Sequence, residues 1–444
     1  MASTGVPSAP PAKSGFGRMR RTIVLTALFC TAAIHAAAQT TEHRAAPPDA
    51  SKVPPGLRLK AEVADKDLGT MRAPPAAARR GEGGPVVWFG AHCPRCLQEK
   101  LVEPQDGAPK PAERLLGLPR DAAAAYIERI SGKVPIVIST RRTTLVVAAD
   151  GGDVPGMTDD EIARLRVFFP QLGATVSKLD AHQLAHLYAE RLIATESALL
   201  ELLDLGDYGF HRGKPGPYSE PSADRSELFL FGSTKTADLF DAFIRGEEPH
   251  RTLDGTTFKG RPVVGLSVQG FGPEAARRRF AYAAAGSRLR ALAKNDGAAP
   301  AWIRIGVAHV LEHAAGSGVR GADDAEADTL PPDPFQPTQK APADRAAFVR
   351  EFVDEGKAPH FDALSATVES ALTPKSRLAA WSICRFLAAV DRPKFAALYA
   401  KLNHAAPTPD RPKAFSDAVR QTYGSEVSVL DNAWRAYILG RKKT

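Results

Sequence analysis

Three groups of side chains in this chain have the types and spacing for chemistry. The first is His92-Cys93-Pro94-Arg95-Cys96, which follows a short apolar strand signal at Val86-Val87-Trp88-Phe89. A strand feeding Cys-x-x-Cys is the local arrangement of a thiol redox site, where a helix start and a basic neighbour such as Arg95 lower the pKa of the first thiol. The ordered pattern stops at Glu103-Pro104-Gln105-Asp106-Gly107. A local Cys93–Cys96 disulfide in an oxidising compartment is therefore the first expectation, with redox or metal work as alternatives. Zinc would need two more ligands, and the chain has no second Cys pair.

The second group, His182-Gln183-Leu184-Ala185-His186, puts two imidazoles one turn apart on a helix face, a spacing that can bind a metal. Hydrolysis at such a site needs a carboxylate after the first His to take a proton from metal-bound water, and Gln183 is an amide that cannot. The plain expectation is a surface or partly buried His pair, with a metal site at His182 and His186 as the weaker alternative. The third group is Gly306-Val307-Ala308-His309-Val310-Leu311-Glu312-His313. Its His-x-x-Glu-His order would let His309 and His313 bind zinc while Glu312 activates water.

The elements that must position these groups are legible from periodicity and punctuation. Strands are expected at 85–89, 133–138, 144–148, 228–231 and 262–268. Helices are expected at 121–130, 159–169, 236–245, 273–294 and 300–315, and around 346–356, 376–390, 392–403 and 412–440. The longest helical pattern runs from Asp180 to Leu205, with Leu184, Leu187, Leu192, Leu199 and Leu203 at helical spacing and Gly206 beyond its end. Residues 316–345, rich in Gly, Asp and Pro, read as an exposed loop. Cys384 lies in an apolar helical stretch and is expected to be a buried free thiol.

Composition bounds the rest. The chain has 444 residues, 44% hydrophobic and 24% charged, with four Cys. Those values exclude a disordered chain, a long coiled coil and a disulfide-built scaffold. Residues 1–21 are polar and carry Lys13, Arg18, Arg20 and Arg21, and an apolar run from Ile23 to Ala38 ends in small residues. That is the layout of a cleavable secretory signal, and the run is shorter than a membrane span. Removing residues 1–38 takes away four cationic and no acidic side chains, so the net charge falls from +8 to +4. The remaining basic residues lack interleaved aromatics, so nucleic-acid binding is not expected. Residues 39–84, with Pro47-Pro48, Pro54-Pro55 and Pro74-Pro75, read as a flexible linker. A small α/β segment with the Cys pair would span 85–158, and a larger domain 159–444.

Two resemblances bear on the third group. Gly306 to His313 is similar to the motif of the pitrilysin-type metallopeptidases. That family also wants an acidic third ligand roughly 70–80 residues downstream, and this chain offers only Asp391 near there. A resemblance covering more of the chain, about 160–440, is to the peptidase-MA-like (gluzincin-type zincin) domains of bacterial exported proteins of unknown function. It rests on Pro300-Ala301-Trp302-Ile303-Arg304-Ile305-Gly306-Val307-Ala308 and on the closing segments around Trp381, Phe395, Phe415 and Trp434.

In that family the position of Ile305 is a zinc-ligating Glu, and a helix upstream carries His-Glu-x-x-His. Here that helix reads Phe280-Ala281-Tyr282-Ala283-Ala284-Ala285. Neither Ile nor Ala can ligate zinc. The resemblance therefore implies a zincin-like domain with its site dismantled, and it places Ile305 against Tyr282 across two packed helices. The fold class expected is α+β and helix-rich, with a small mixed sheet and a C-terminal helical part. The expected role is binding or scaffolding in the periplasm or outside the cell. No cofactor, no membrane span in the mature chain, and a partner that is a protein or envelope component complete that expectation. The alternatives are a zinc hydrolase using His309, Glu312 and His313, and a thiol-redox protein using Cys93 and Cys96.

Overall fold

Alternation of apolar residues on consecutive strands decides how the sheet is covered. The computed structural model describes residues 53–57, 78–80, 86–88, 90–103, 109–153, 157–173, 176, 178–205, 225–246, 256–258, 261–268, 273–292, 299–316, 345–405, 408 and 410–440. The expected signal segment and the expected loop, from 317 to 344, lie outside them.

Strands β1 (Ala78–Arg80) and β2 (Val86–Trp88) pair antiparallel. Strand β3 (Ala91–His92) leads into the short helix α1 (Pro94–Gln98). A two-stranded ribbon of β4 (Arg114–Leu115) and β5 (Leu118–Pro119) precedes α2 (Arg120–Ser131). Strands β6 (Ile136–Thr140) and β7 (Thr143–Ala148) form a hairpin whose turn is closed by Thr140, its Oγ1 accepting from the Arg142 and Thr143 amides. Strands β8 (Gly152–Asp153) and β9 (Lys178–Leu179) flank α3 (Asp159–Phe168), and α4 (Ala181–Leu202) follows. Then come β10 (Ser226–Phe231), α5 (Thr234–Arg245), β11 (Thr256–Phe258) and β12 (Arg261–Ser267). The rest is helical: α6 (Pro273–Leu292), α7 (Ala301–Gly316), α8 (Arg345–Asp354), α9 (Phe361–Ala366), α10 (Pro374–Val390), α11 (Arg392–His404), α12 (Arg411–Tyr423) and α13 (Val427–Gly440).

The protein is thus helix-rich with a small mixed sheet of order β11-β12-β10-β7-β6-β3. Its centre, β12-β10-β7, is parallel, and the outer strands run antiparallel. Both faces are covered, which suits a sheet with a parallel centre. Val146, Ala148, Phe229, Phe231 and Val263 face Phe240 of α5 and Ile127 of α2. Their neighbours Leu145, Val147, Leu228, Leu230, Val264 and Leu266 face the larger core that contains α4, α6 and α7. Gly265 belongs to the first face, where a Cβ would come within 2.6 Å of the Phe240 ring.

Helix α4 is buried almost throughout, and its buried charges include Arg191, which donates to Glu161, and Glu196, which accepts from Thr143. Helices α7 and α10 approach closely at Gly306, where a Cβ would lie 2.5 Å from both the Ala380 carbonyl oxygen and Cys384 Sγ. Cys384 is a buried free thiol, its pKa pushed up by burial. Trp302 and Trp434 are fully buried, and their indole N–H groups donate to Ser365 and Ser382.

Several features differ from the sequence expectation, among them short strands such as β4, β5 and β11. The helix expected over 412–440 is two helices, parted at Gly424, whose φ of +68° only glycine adopts freely. Helix α9 was not expected. Within the expected linker, Val53 and Leu57 are buried in the main core, and Arg80 of β1 donates to the Val167 carbonyl at the end of α3. Among the described residues, no helix is long and apolar enough to cross a membrane.

Candidate metal centre

The Cys pair sits on a small knuckle. Strand β3 delivers Cys93 in extended geometry to the N-cap of α1, and Pro94 fills the first helical position, where a missing N–H costs nothing. The helix lasts one turn. Lys100 turns the chain at φ +56°, and Leu101 returns to donate its amide to the Cys96 carbonyl. The chain then pairs back on β2, with the Val86 amide donating to Leu101 and the Glu103 amide donating to Val86. The pattern break after residue 103 is therefore the end of a closed loop and not the loss of structure around the thiols.

Helix α4 supplies the other half. Its first turn is fixed by a capping box in which Asp180 accepts from the Gln183 amide and the Gln183 side chain accepts from the Asp180 amide. Gln183, which stands where a zinc hydrolase carries Glu, thus serves the helix terminus. One and two turns of this cap set the positions of His182 and His186, which point at the knuckle.

The structure brings the two pairs together. Cys96 Sγ lies 3.0 Å from His186 Nε2 and 3.3 Å from His182 Nε2, and Cys93 Sγ lies 3.5 Å from His182 Nε2. The four donor atoms all fall within 4.8 Å of one another, and all four residues are buried. This cluster could hold a metal ion. Bonds of ~2.3 Å to sulfur and ~2.1 Å to nitrogen, arranged tetrahedrally, put neighbouring donors roughly 3.3–3.8 Å apart, close to the spacing found. Both cysteines are free thiols, so the expected local disulfide is not what the fold forms here.

The donors hydrogen-bond to each other. The bond from Cys96, aided by those with His182 and His186, holds the Cys93 thiol far below its usual pKa. The same bond to Cys93, together with burial, pushes Cys96 up. Burial lowers the pKa of His186 and favours its neutral, ligating form. The ring of His186 is stacked on Trp88 at 4.7 Å and met edge-on by Phe168 at 4.5 Å and Phe169 at 5.1 Å. That apolar jacket excludes water, which strengthens metal–thiolate bonds.

The third group has different surroundings. His309 Nδ1 and Glu312 Oε2 lie 2.6 Å apart, and Arg345 Nη2 donates to Glu312 Oε1 at 2.8 Å. Burial alone would raise the Glu312 pKa, but Arg345 and His309 overcome it and hold the carboxyl well below the usual range. Arg278 donates to His313 Nδ1 at 3.4 Å. Burial, then Arg345, Arg278 and Arg385, push His313 down to about 3. His309 rests on Tyr282 and His313 on Trp381, two different neighbouring helices. Among the described residues, the Cys93-Cys96-His182-His186 cluster is the one group of three or more such side chains whose donors converge.

Sequence reasoning named all four donors but as two unrelated pairs. Within each pair the spacing, Cys-x2-Cys and His-x3-His, is that of a zinc-binding half-site. The pairs are 86 residues apart from Cys96 to His182, and the requirement for two more ligands was the signal that could have joined them. No family model, curated protein or solved structure matches this chain.

Proposed function

We propose that this chain is an exported, non-catalytic protein in which a structural Zn²⁺ fastens the Cys-pair knuckle to a peptidase-MA-like helical body, and that it acts in binding or scaffolding. The observation that carries the reading is the buried Cys93-Cys96-His182-His186 cluster. Two thiolates and two imidazoles suit zinc, and four protein donors leave no open position for a substrate or a nucleophilic water. When bound, the ion cross-links two segments that are far apart in sequence and supplies folding energy. Cys93 and Cys96 carry the thiolate charge, His182 and His186 complete the shell, and Trp88 and Phe168 keep the site dry.

The absence of hydrolytic chemistry is supported by the helix pair α6 and α7. Tyr282 packs on His309, one turn beyond Ile305 on α7, and both Tyr282 and Ile305 are buried. Glu312 is committed to Arg345, so it is poorly placed to activate water. Export is supported by the N-terminal basic and apolar segments.

Elemental analysis of the purified chain tests the proposal. About one Zn per chain is expected for a closed four-donor site. It should be kept in His309→Ala and His313→Ala and lost in Cys93→Ser and His182→Ala. Metal that leaves with His309 instead would return the hydrolase reading, and a chain free of metal would end the structural-zinc one.

A further inference from the structure

The two histidines of the cluster are oriented by different means. His186 is fully buried and gripped by aromatic rings, and its Nδ1 has no hydrogen-bond partner. His182 has a carboxylate behind it. Its Nδ1 lies 3.4 Å from Glu99 Oε2. Glu99 is the C-cap residue of α1, so the helix that carries Cys96 also carries this carboxylate. The other carboxylate oxygen, Oε1, accepts from Arg95 Nε at 2.7 Å. Arg95 thus leaves Oε2 turned toward the imidazole.

A histidine that binds metal through Nε2 must carry its proton on Nδ1. Metal-ligating imidazoles nearly always donate that proton to a carboxylate, a carbonyl or water, which fixes the tautomer and raises ligand basicity. Resting on the structural-zinc reading above, we propose that Glu99 is a positioning residue of the metal centre. It accepts the Nδ1–H of His182 and so holds Nε2 toward the ion, with Arg95 orienting the carboxylate. The knuckle then contributes three groups to the centre, two thiolates and one outer carboxylate. The contact is 3.4 Å, so the carboxylate has to close by a few tenths of an ångström to make that hydrogen bond.

The test compares zinc affinity, measured by competition with a chromophoric chelator, in the full chain and in Glu99→Ala and Glu99→Gln. Loss of an outer-shell partner typically weakens metal binding roughly 10–100-fold. Glu99→Ala should fall in that range. Glu99→Gln keeps an acceptor oxygen, so it should lose less. Nitrogen-correlated NMR of the zinc-loaded chain adds a readout that general destabilisation would not move. A slowly exchanging His182 Nδ1 proton should be visible in the parent and in Glu99→Gln and absent from Glu99→Ala. Equal affinity in the parent and Glu99→Ala, or an unchanged His182 proton signal, would overturn the role of Glu99 and leave the zinc site standing. Failure of the parent chain to bind zinc would overturn the underlying reading instead.

Discussion

His182 and His186 on α4 and His309 and His313 on α7 share the spacing that puts two imidazoles on one helix face. Both pairs are largely buried, and each has an ionisable group from another part of the chain beside it. At α4 those groups are Cys93 and Cys96, with sulfurs 3.0–3.5 Å from the imidazole nitrogens. At α7 they are Arg345, Arg278 and Arg385, which add to burial in pressing His313 toward its neutral form, and Arg345 ties down Glu312. Thiolates invite a dication and guanidiniums repel one. The lesson is that His spacing on a helix says little by itself about metal, and the charge of what packs against it decides.

The largest effect expected from breaking the first region is loss of the ion. Chelation, or Cys96→Ser, should destabilise the chain by more than about 4 kcal/mol, the linkage value when free metal exceeds Kd by roughly a thousandfold. Thermal unfolding with and without added zinc checks this. The second region has its own cost. Glu312→Gln would leave Arg345 buried beside a neutral amide, and breaking such a pair costs about 3–5 kcal/mol. Denaturant titration should show that loss with zinc content unchanged. A joint loss of zinc would mean that the two regions are not independent.

Between them stands the packing of α7 on α10. Gly306→Ala would force a Cβ against Ala380 and Cys384, and overpacking of this kind costs about 1–3 kcal/mol. Unfolding curves should shift by that amount with the metal site untouched.

The smallest effect is a pH slope. The folded pKa of His313 lies below its unfolded value, so the unfolded state binds the proton more tightly. The stability from keeping this ring neutral is complete above about pH 6.5 and is lost as the pH falls from there toward 3. His313→Gln, which keeps an acceptor for Arg278, should flatten that part of the stability profile of the metal-free chain.

Much of the fold was legible because local signals agreed with the tertiary result. The expected strands over 144–148 and 262–268 and the helix from Asp180 overlap β7, β12 and α4 closely. The break at Gly424 was missed because the apolar period continues across it, and only the backbone conformation reveals the turn. Strand β1 was missed because Ala78-Arg79-Arg80 has no strand preference of its own; pairing with β2 creates it. The metal centre was half legible. Cys93, Cys96, His182 and His186 each stood out by type and spacing. Their meeting depends on the edge strand β3 lying beside β6 and on α4 packing against β6, which no local pattern encodes.

In the proposed centre one ion is held by both cysteines and both histidines of the first region. Cobalt substitution reads this directly, because the ion's visible bands report tetrahedral geometry and its near-ultraviolet bands report thiolate bonds. A centre held by all four donors should give a tetrahedral cobalt spectrum with thiolate-to-metal charge transfer. It should be unchanged in a His309→Ala, His313→Ala double variant and altered in Cys96→Ser and His186→Ala. A parent chain that takes up no cobalt, or a spectrum that changes with His309 and His313 but not with Cys96, would contradict it.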